Sequence, residues 1–502
     1  MPRFEDLRLV RGAGKYSDDI SMPGQAIAAF VRSPHAHAKV TRIDAATAKK
    51  MPGVIAVLTG ADYVADGLKG AIQRANPAGA TDIKIRAFAP QKRPVLEEPQ
   101  YPLATDRVRY PGEAVAVVVA ESLLTARDAA EAVAVDYEVL PAVTDVREAI
   151  GAEPIWPNAP DNVALDQEFG DAAAVRAAFN AADLVVEQTF VNQRIVNCQM
   201  EPRSGVASYD AAADSYTLIS GNQGVHAPRM VLAESFGLPQ EKIRFICPDV
   251  GGGFGLRNNL YPEQSTILWA AKRVGRPVKW TNDRSESFLT DYAGRDLVTT
   301  ARLALTSAGR ITAYQVDHLG TCGGQTVTYV PLSNAYRVAT TVYDIPLMHM
   351  RCRSVMTNTV PTAPFRGAGR PEATLVLERL IDLAAGKLGV DRLRIRQKNV
   401  IAKKKLPYRT ASGLLYDSGD FGGNMARMIE AADWKGFAAR RRESKKRGKL
   451  RGIGISNYLE TPVGIPHERV EVTVLGTGKV ELAVGTQSTG QGHETRDRKS
   501  VV

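Results

Sequence analysis

A glycine-rich stretch carries the first chemistry that this sequence could perform. Gly251, Gly252, Gly253, Phe254 and Gly255 follow a predicted strand. Successive glycines let backbone N–H groups approach an anionic ligand closely, because no Cβ intervenes. The stretch is neither a GxGxxG fingerprint nor a P-loop, since the Lys-Ser/Thr pair is missing. It predicts either a tight structural turn or the wall of a ligand site, and Phe254 within it favours the wall.

A second candidate is the loop 365–370, which reads Phe-Arg-Gly-Ala-Gly-Arg before a predicted helix. Arginine binds oxyanions through two parallel N–H groups, and a helix N-terminus adds positive potential. Arg366 and Arg370 therefore predict an anion-binding loop. The alternative is that either arginine pairs with a nearby carboxylate.

A third candidate is the segment 490–495, which reads Gly-Gln-Gly-His-Glu-Thr. The amide of Gln491, which lies between Gly490 and Gly492, can form hydrogen bonds with a phosphate or with the edge of a pterin. His493 could bind a metal, but a lone histidine is more often only hydrogen-bonded. Gln223 is a polar residue at a predicted strand end and carries no separate signal.

The sequence does not predict a metal site formed by side chains of this chain. His35 and His37 are expected to share one face of a strand. A metal pair there would need further ligands, so a structural role is favoured. The four cysteines are widely spaced and form no CxxC pair, which argues against a zinc site, a disulfide framework or an iron–sulfur cluster held by this chain alone.

Alternating and helical patterns indicate how these stretches are positioned, and together they predict an α+β fold. Predicted strands are Val54–Leu58, Val115–Val119, Val135–Val139, Leu184–Val191, Tyr216–Ser220, Lys242–Cys247 and a hairpin of Val470–Val474 with Lys479–Val484. Predicted helices are Glu121–Val133, with Leu124, Ala129 and Val133 on one face, Pro228–Phe236, Pro262–Val274 and Pro371–Leu388, the last with Pro371 at its first position.

Composition bounds the class of protein. The chain has 502 residues, of which 44% are hydrophobic and 24% charged, as in ordinary globular proteins. Its longest strongly apolar run, Ala114–Ala120, is far shorter than the roughly 18 residues of a membrane span, and no secretory signal is evident. Most of the net charge of +10 lies in Arg440–Arg451 and Arg496–Lys499, which favours solvated helix ends or linkers over a docking patch. No nucleic-acid motif accompanies it.

Taken together, these stretches resemble the molybdenum-cofactor-binding large subunit of the xanthine dehydrogenase family, nearest its carbon-monoxide-dehydrogenase-like branch. The segments 32–38 and 110–116 resemble the N-terminal hammerhead domain, and the candidate stretches resemble the molybdenum-site segments in the right order. The resemblance implies an α/β hammerhead domain at 1–146, followed by mixed α/β cofactor-binding domains at 160–400 and 415–495, the last incomplete. Pro154, Pro157 and Pro160 mark the expected linker between the first two.

The resemblance also implies roles for single residues. Gln223 matches the glutamine whose amide faces the apical oxo ligand of molybdenum. Gly252, Gly253, Phe254 and Gly255 match the loop beside the metal. Arg366 matches the arginine that steadies negative charge on the substrate. Gly490, Gln491 and Gly492 match a segment that holds the molybdopterin cofactor, expected in its cytosine dinucleotide form.

The implied activity is hydroxylation of an aldehyde or N-heterocycle with oxygen from water. Electrons would leave through a 2Fe-2S small subunit and an FAD-binding medium subunit, in a cytoplasmic dimer of heterotrimers without nucleic acid or membrane span. Alternatives are a carbon monoxide or xanthine dehydrogenase subunit and a non-catalytic cofactor-binding or assembly homologue. A nucleotide-binding dehydrogenase is a weaker alternative, because its GxGxxG fingerprint is absent.

Three departures from the family pattern modify these expectations. Carbon monoxide oxidisers carry a copper-binding cysteine where this chain has Gly367, and purine oxidisers carry a glutamate where it has Asn258. The family's general-base glutamate, in a Gly-x-Gly-Glu stretch, is expected beyond Val502. We therefore expect an inactive fragment that does not hold cofactor stably. We expect residues 496–502 to be a non-native tail, because a sequence resembling a sequencing adapter could encode its last six residues.

Overall fold

The structure is a computed structural model that describes residues 3–73, 93–460 and 469–495. It has the mixed α and β composition that the sequence predicts. The expected non-native tail, 496–502, lies outside the described residues. No helix among the described residues has both the length and the apolar character needed to cross a membrane.

The strands and helices occur throughout the described chain. In chain order the strands are β1 (Ala26–Arg32), β2 (Ala38–Asp44), β3 (Val54–Thr59), β4 (Arg107–Val108), β5 (Ala114–Ala120), β6 (Ala134–Val139), β7 (Val163–Gly170), β8 (Leu184–Asn192), β9 (Ser204–Asp210), β10 (Ser215–Ser220), β11 (Ile243–Ile246), β12 (Val278–Thr281), β13 (Leu297–Leu305), β14 (Ile311–Gly323), β15 (Leu347–Met356), β16 (Tyr408–Arg409), β17 (Leu415–Tyr416), β18 (Val470–Val474) and β19 (Val480–Val484). The helices are α1 (Asp6–Val10), α2 (Ala46–Lys50), α3 (Gly60–Ala65), α4 (Leu123–Glu131), α5 (Val146–Ala149), α6 (Ala172–Asn180), α7 (His226–Phe236), α8 (Pro262–Val274), α9 (Arg284–Thr290), α10 (Val330–Arg337), α11 (Arg370–Leu388), α12 (Arg392–Asn399), α13 (Phe421–Ala431) and α14 (Phe437–Lys446).

Two larger sheets organise the molecule. The first has 7 strands in the order β11-β10-β9-β12-β1-β5-β3. Its β1 pairs in parallel with β12, with Ala26 opposite Val278, so this sheet draws strands from both of the first two predicted domains. The second has 5 strands in the order β7-β15-β14-β13-β8, and a smaller sheet has the order β4-β2-β6. Strands that precede and strands that follow the expected linker in sequence therefore form one sheet.

Helix α11 covers the five-stranded sheet. Its apolar residues recur every three or four positions, which places them on one face of a helix. The buried members of that face are Val376, Leu377, Leu380, Ile381 and Ala384, and they belong to the same core as the inward side chains of β7, β8 and β13–β15. The loop 365–370, which leads into α11, is thereby anchored to the core.

Glycines end three of the predicted helices where expected. Gly237, Gly275 and Gly389 follow α7, α8 and α11 with φ angles of 65°, 67° and 65°, the left-handed conformation that glycine adopts without a Cβ penalty. The predicted start of α11 is one residue late. The helix begins at Arg370, because the carboxylate of Glu372 accepts the backbone N–H of Gly369 at 2.9 Å and fixes the first turn there.

The remaining predicted strands and the hairpin are also present, but one predicted helix face is wrong in detail. Ala126 and Ala129 of α4 are buried against β1 and β5, and the predicted partners Ala129 and Val133 belong to one core cluster, whereas Leu124 is 71% exposed. Small side chains let this helix approach the sheet closely, and Leu124 lies on the opposite side. The predicted linker is irregular but packed, since Ile155 is buried and the indole N–H of Trp156 donates to the carbonyl of Gly324 at 2.9 Å.

The strand predicted to carry His35 and His37 is also wrong. β1 ends at Arg32, and both histidines lie in the loop before β2. His37 Nδ1 lies 2.8 Å from the carbonyl oxygen of Pro141, and the His35 ring packs edge-on against Tyr137. Both rings therefore have structural contacts.

Candidate cofactor-binding site

One cavity brings the candidate stretches together. Its volume is about 1110 Å³. It is lined by residues of four distant segments, among them Gln223, Gly252, Phe254, Gly255, Arg366, Gly490 and Gln491. Two other predicted residues, Gly253 and Gly492, do not line the cavity. Gly253 packs against the Gln223 side chain, and Gly492 packs against Arg3 and Glu5 of the N-terminal segment.

Gln223 is fixed by its neighbours on both sides. It follows β10, and its backbone N–H donates to the carbonyl of Arg257 at 2.9 Å. Its side-chain Oε1 accepts the backbone N–H of Gly255 at 2.6 Å. Because a carbonyl oxygen must accept that N–H, the orientation of the amide is set, and the NH₂ group remains a donor. This NH₂ group makes no hydrogen bond to any described residue.

The glycine-rich turn needs its glycines for space as well as for conformation. Gly252 and Gly255 have φ angles of 105° and 104°. A Cβ on Gly252 would lie 2.7 Å from the Phe254 ring, and one on Gly255 would lie 2.3 Å from the carbonyl oxygen of Pro364. A Cβ on Gly253 would lie 2.5 Å from the Gln223 side chain. The backbone of the turn therefore packs directly against the Gln223 side chain and against the loop that leads to Arg366, with no room for a Cβ atom.

Phe254 is held in an unusual conformation. Its φ of 52° is uncommon for an aromatic residue. Its ring is 41% exposed and forms part of the cavity wall. Its carbonyl oxygen accepts the N–H of Arg366 at 2.9 Å, so the glycine-rich turn and the arginine loop form one unit.

A buried ion pair, which the sequence analysis missed, holds the turn from behind. Glu201 accepts the N–H of Gly251 at 2.7 Å and pairs with Arg257 at 2.5 Å. Both side chains are largely buried, at 9% and 2% exposure. Since the carbonyl of Arg257 also anchors Gln223, this pair positions the amide and the turn together. Residues far apart in sequence make these contacts, so no local pattern could have revealed them.

Arg366 and Arg370 have different environments. The Arg366 side chain is exposed in the cavity and makes no hydrogen bond or ion pair with a described residue. Arg370 donates to the carbonyl of Gly367 at 2.9 Å and pairs with Glu460 at 2.8 Å. The structural alternative considered for these arginines thus applies to Arg370.

A further arginine fixes the loop without a sequence signal. Arg295 donates to the carbonyl of Arg366 at 2.9 Å and pairs with Glu372 at 2.9 Å. Arg295 and Asp296 both have positive φ, at 63° and 70°. Such strain persists only where surrounding contacts over-determine it, as they do beside this cavity.

The segment 490–495 contributes Gly490 and Gln491 to the lining of the cavity. Gly490 has a φ of 111°, and a Cβ there would meet no atom within 4 Å. Gln491 Oε1 accepts the N–H of Thr489 at 2.5 Å, so its amide is already oriented. Among the described residues no three His, Cys, Asp or Glu side chains are grouped closely enough to hold a metal, and His493 therefore lies outside any such group.

Family comparisons agree with this arrangement. A model described as the aldehyde oxidase and xanthine dehydrogenase a/b hammerhead domain matches residues 11–141. Two models described as molybdopterin cofactor-binding domains match residues 155–400 and 427–497. Together they account for most of the chain. The chain belongs to the xanthine dehydrogenase family. The predicted order, a hammerhead domain followed by cofactor-binding domains, is confirmed.

Relatives within the xanthine dehydrogenase family align along nearly the whole chain. The nicotine 6-hydroxylase large subunit of Paenarthrobacter nicotinovorans is 34% identical over 99% of this chain and 60% of its own length. The carbon monoxide dehydrogenase large chain of Hydrogenophaga pseudoflava is 32% identical over 98% of this chain and 63% of its own length. The chain thus spans about three fifths of the length of these relatives.

A solved structure has the same fold. Quinoline 2-oxidoreductase from Pseudomonas putida 86 matches with a TM-score of 0.89 and 30% identity, over 99% of this chain and 63% of that one. The xanthine dehydrogenase family assignment therefore holds in sequence and in three dimensions.

Proposed function

We propose that this chain belongs to the catalytic large subunit of a molybdenum hydroxylase, which oxidises an electron-poor carbon of an aldehyde or N-heterocycle with oxygen from water. The observation that carries the proposal is the shared cavity. Gln223, the glycine-rich turn, Arg366 and Gly490–Gln491 are separated by up to hundreds of residues, yet they line one space.

The residues of this cavity fit a molybdopterin cofactor. The volume of about 1110 Å³ is slightly larger than that of ordinary ligand pockets, which leaves room for a large cofactor. Gly490 leaves open space where a Cβ would stand. Gln199 lines the cavity, is only 2% exposed, and has an Oε1 atom without a partner among the described residues, although its Nε2 donates to Asp291 at 2.7 Å. A buried acceptor of this kind is costly unless a ligand or water satisfies it.

When bound, the cofactor supplies Lewis-acid and electron-accepting chemistry. We assign the remaining work to residues of this chain. The NH₂ group of Gln223 donates a hydrogen bond to the cofactor and orients it. Phe254 forms an apolar wall that limits water on the substrate side. The guanidinium of Arg366 stabilises negative charge that develops on the substrate, and a preorganised charge of this type is most effective in a partly desolvated site.

Two positions argue for an aldehyde or N-heterocycle as the substrate class. Gly367 has a φ of 92°, and a Cβ there would lie 2.5 Å from the Pro371 ring. A cysteine able to hold copper does not fit this backbone, which argues against carbon monoxide oxidation. Asn258 lines the cavity and offers a neutral amide where purine oxidisers carry a carboxylate, which argues against xanthine.

The finer assignments follow from the family. We infer the cytosine dinucleotide form of the cofactor, an FAD-binding medium subunit, a 2Fe-2S small subunit, a dimer of heterotrimers and a cytoplasmic location. The relatives support a multi-subunit enzyme, since one is named a large subunit and another a subunit gamma of a dehydrogenase complex.

An isotope experiment tests the proposal. The protein is produced from its own genomic locus with its neighbouring genes, in a host that makes molybdopterin. Aromatic aldehydes and N-heterocycles are offered with an artificial electron acceptor in ¹⁸O-water. The proposal predicts one ¹⁸O atom in the product. Oxygen drawn from O₂, or no turnover with cofactor fully loaded, contradicts it, and the second outcome favours an assembly role.

A further inference from the structure

The N-terminal segment contacts two of the segments that contribute to the cavity lining. Leu9 and Tyr16 line the cavity directly. Arg8, on α1, pairs with Asp249 through two hydrogen bonds of 2.5 and 3.0 Å. The same guanidinium donates to Glu494 at 2.9 Å. Arg8 therefore joins Asp249, two residues before the glycine-rich turn, to Glu494 of the segment 490–495.

Each end of this bridge is anchored further. Asp249 Oδ2 also accepts the N–H of Lys15 at 2.8 Å, and the N–H of Asp249 donates to the carbonyl of Lys15 at 3.0 Å. The Arg8 guanidinium lowers the pKa of the Asp249 carboxyl, so this carboxylate stays charged at neutral pH.

The segment 490–495 has its own contacts with the N-terminus. Arg3 donates to the carbonyl of Gly490 at 2.7 Å. The N–H of Phe4 donates to Thr495 Oγ1 at 2.6 Å, and Thr495 donates to Glu5 at 2.6 Å. These bonds hold the segment against the residues that precede α1, whereas Arg8 alone among these residues also contacts Asp249.

We propose that Arg8 is a positioning residue that holds the Gly251–Gly255 turn and the segment 490–495, both of which contribute to the cavity lining, at a fixed separation. The guanidinium suits this task, because its planar set of donors can serve two carboxylates at once. This consequence rests on the proposed function: the bridge preorganises the cleft, which reduces the entropy lost when the cofactor binds. The bridge itself does not depend on that function.

Hydrogen–deuterium exchange tests the bridge without cofactor. The protein and its variants Arg8→Ala and Arg8→Lys are prepared from a host that cannot make molybdopterin. We expect Arg8→Ala to raise amide exchange about fivefold in peptides covering 249–255 and 490–495, as the loss of the partly exposed ion pairs with Asp249 and Glu494 would. Arg8→Lys should give a smaller increase, because an ammonium cannot make the paired bonds. The matched control is Arg11→Ala, an exposed arginine of the same segment.

A second measurement links the bridge to the cofactor. When the proteins are produced from their own genomic locus in a molybdopterin-competent host, Arg8→Ala should retain about fivefold less molybdenum than the unaltered protein and Arg11→Ala. Equal exchange in both peptides for all variants overturns the proposal, as does an increase spread evenly over the chain. If Arg8→Ala does not fold, Arg8→Gln replaces it. A metal-free unaltered protein would contradict the proposed function, while the exchange comparison would still decide the role of Arg8.

Discussion

The side-chain Oε1 of Gln223 accepts the backbone N–H of Gly255 at 2.6 Å. This one bond sets the orientation of the amide, because the oxygen is committed to the turn and the NH₂ group becomes the donor on the cavity side. The amide and the turn are therefore one structural unit, although 32 residues separate them.

Replacing Gln223 should impair turnover far more than folding. Gln223→Ala removes the donor to the cofactor, and loss of one preorganised donor lowers kcat by about 10²-fold. Steady-state kinetics with thermal unfolding checks this, and exposed Gln193→Ala is the control. Equal kinetics in the two variants would remove Gln223 from the site.

Adding one methyl group at Gly253 should disturb the same amide. Its Cβ would lie 2.5 Å from the Gln223 side chain, so the glutamine must move and the bond to Gly255 is lost. We expect Gly253→Ala to reduce kcat as Gln223→Ala does, at a stability cost of about 1–3 kcal/mol.

The double variant distinguishes this coupling from general damage. Because both changes act through one amide, Gln223→Ala combined with Gly253→Ala should be little worse than either alone. Gly452→Ala, whose Cβ meets no atom within 4 Å, is the control. Fully multiplicative losses in kcat would argue against the coupling.

Arg366 should affect substrate turnover without affecting stability. Its side chain makes no hydrogen bond or ion pair with a described residue, so Arg366→Ala should leave the unfolding temperature unchanged. Loss of a charge-assisted hydrogen bond should lower kcat/KM by about 10- to 100-fold. The comparison is exposed Arg176→Ala. A large fall in unfolding temperature would show that Arg366 has a structural role instead.

Glu113 should make stability depend on pH. It accepts the N–H of Arg109 at 2.6 Å, and burial raises its pKa to about 7 from 4.5. Because the folded state then binds a proton more tightly than the unfolded state, this group's contribution is largest below about pH 4.5 and falls as the pH rises towards 7.

Glu113→Gln removes that dependence. At about pH 8 it should stabilise the protein by up to about 3 kcal/mol, and near pH 4.5 it should change little. Denaturant unfolding at the two pH values measures the difference, with exposed Glu131→Gln as the control. The same effect at both pH values would contradict the assigned cause.

Local patterns predicted most of the secondary structure and the candidate stretches. Glycines after α7, α8 and α11 and the alternation in β10 are features of neighbouring residues, so the sequence reveals them. The start of α11 depends on a side chain three residues into the helix, and the face of α4 depends on what it packs against. The start of α11 and the placement of Leu124 on the same face as Ala129 and Val133 were predicted incorrectly for that reason.

The supports of the cavity could not be predicted from the sequence. Glu201 reaches Gly251 across 50 residues, and Arg8 reaches Glu494 across 486. An exposed and a buried arginine look alike in a sequence, and only the fold separates Arg366 from Arg370. The glycine-rich stretches and the arginines were thus accessible from their residue types and Gln223 only through the family resemblance, whereas the residues that position them were not.

The most direct test of the account is the molybdenum and pterin content of the protein produced from its own locus in a molybdopterin-competent host. We predict about one molybdenum and one pterin per chain in the unaltered protein, and a clear loss of both in Gly253→Ala. An unaltered protein that is correctly folded but colourless and free of metal and pterin would show that this cavity does not hold the cofactor.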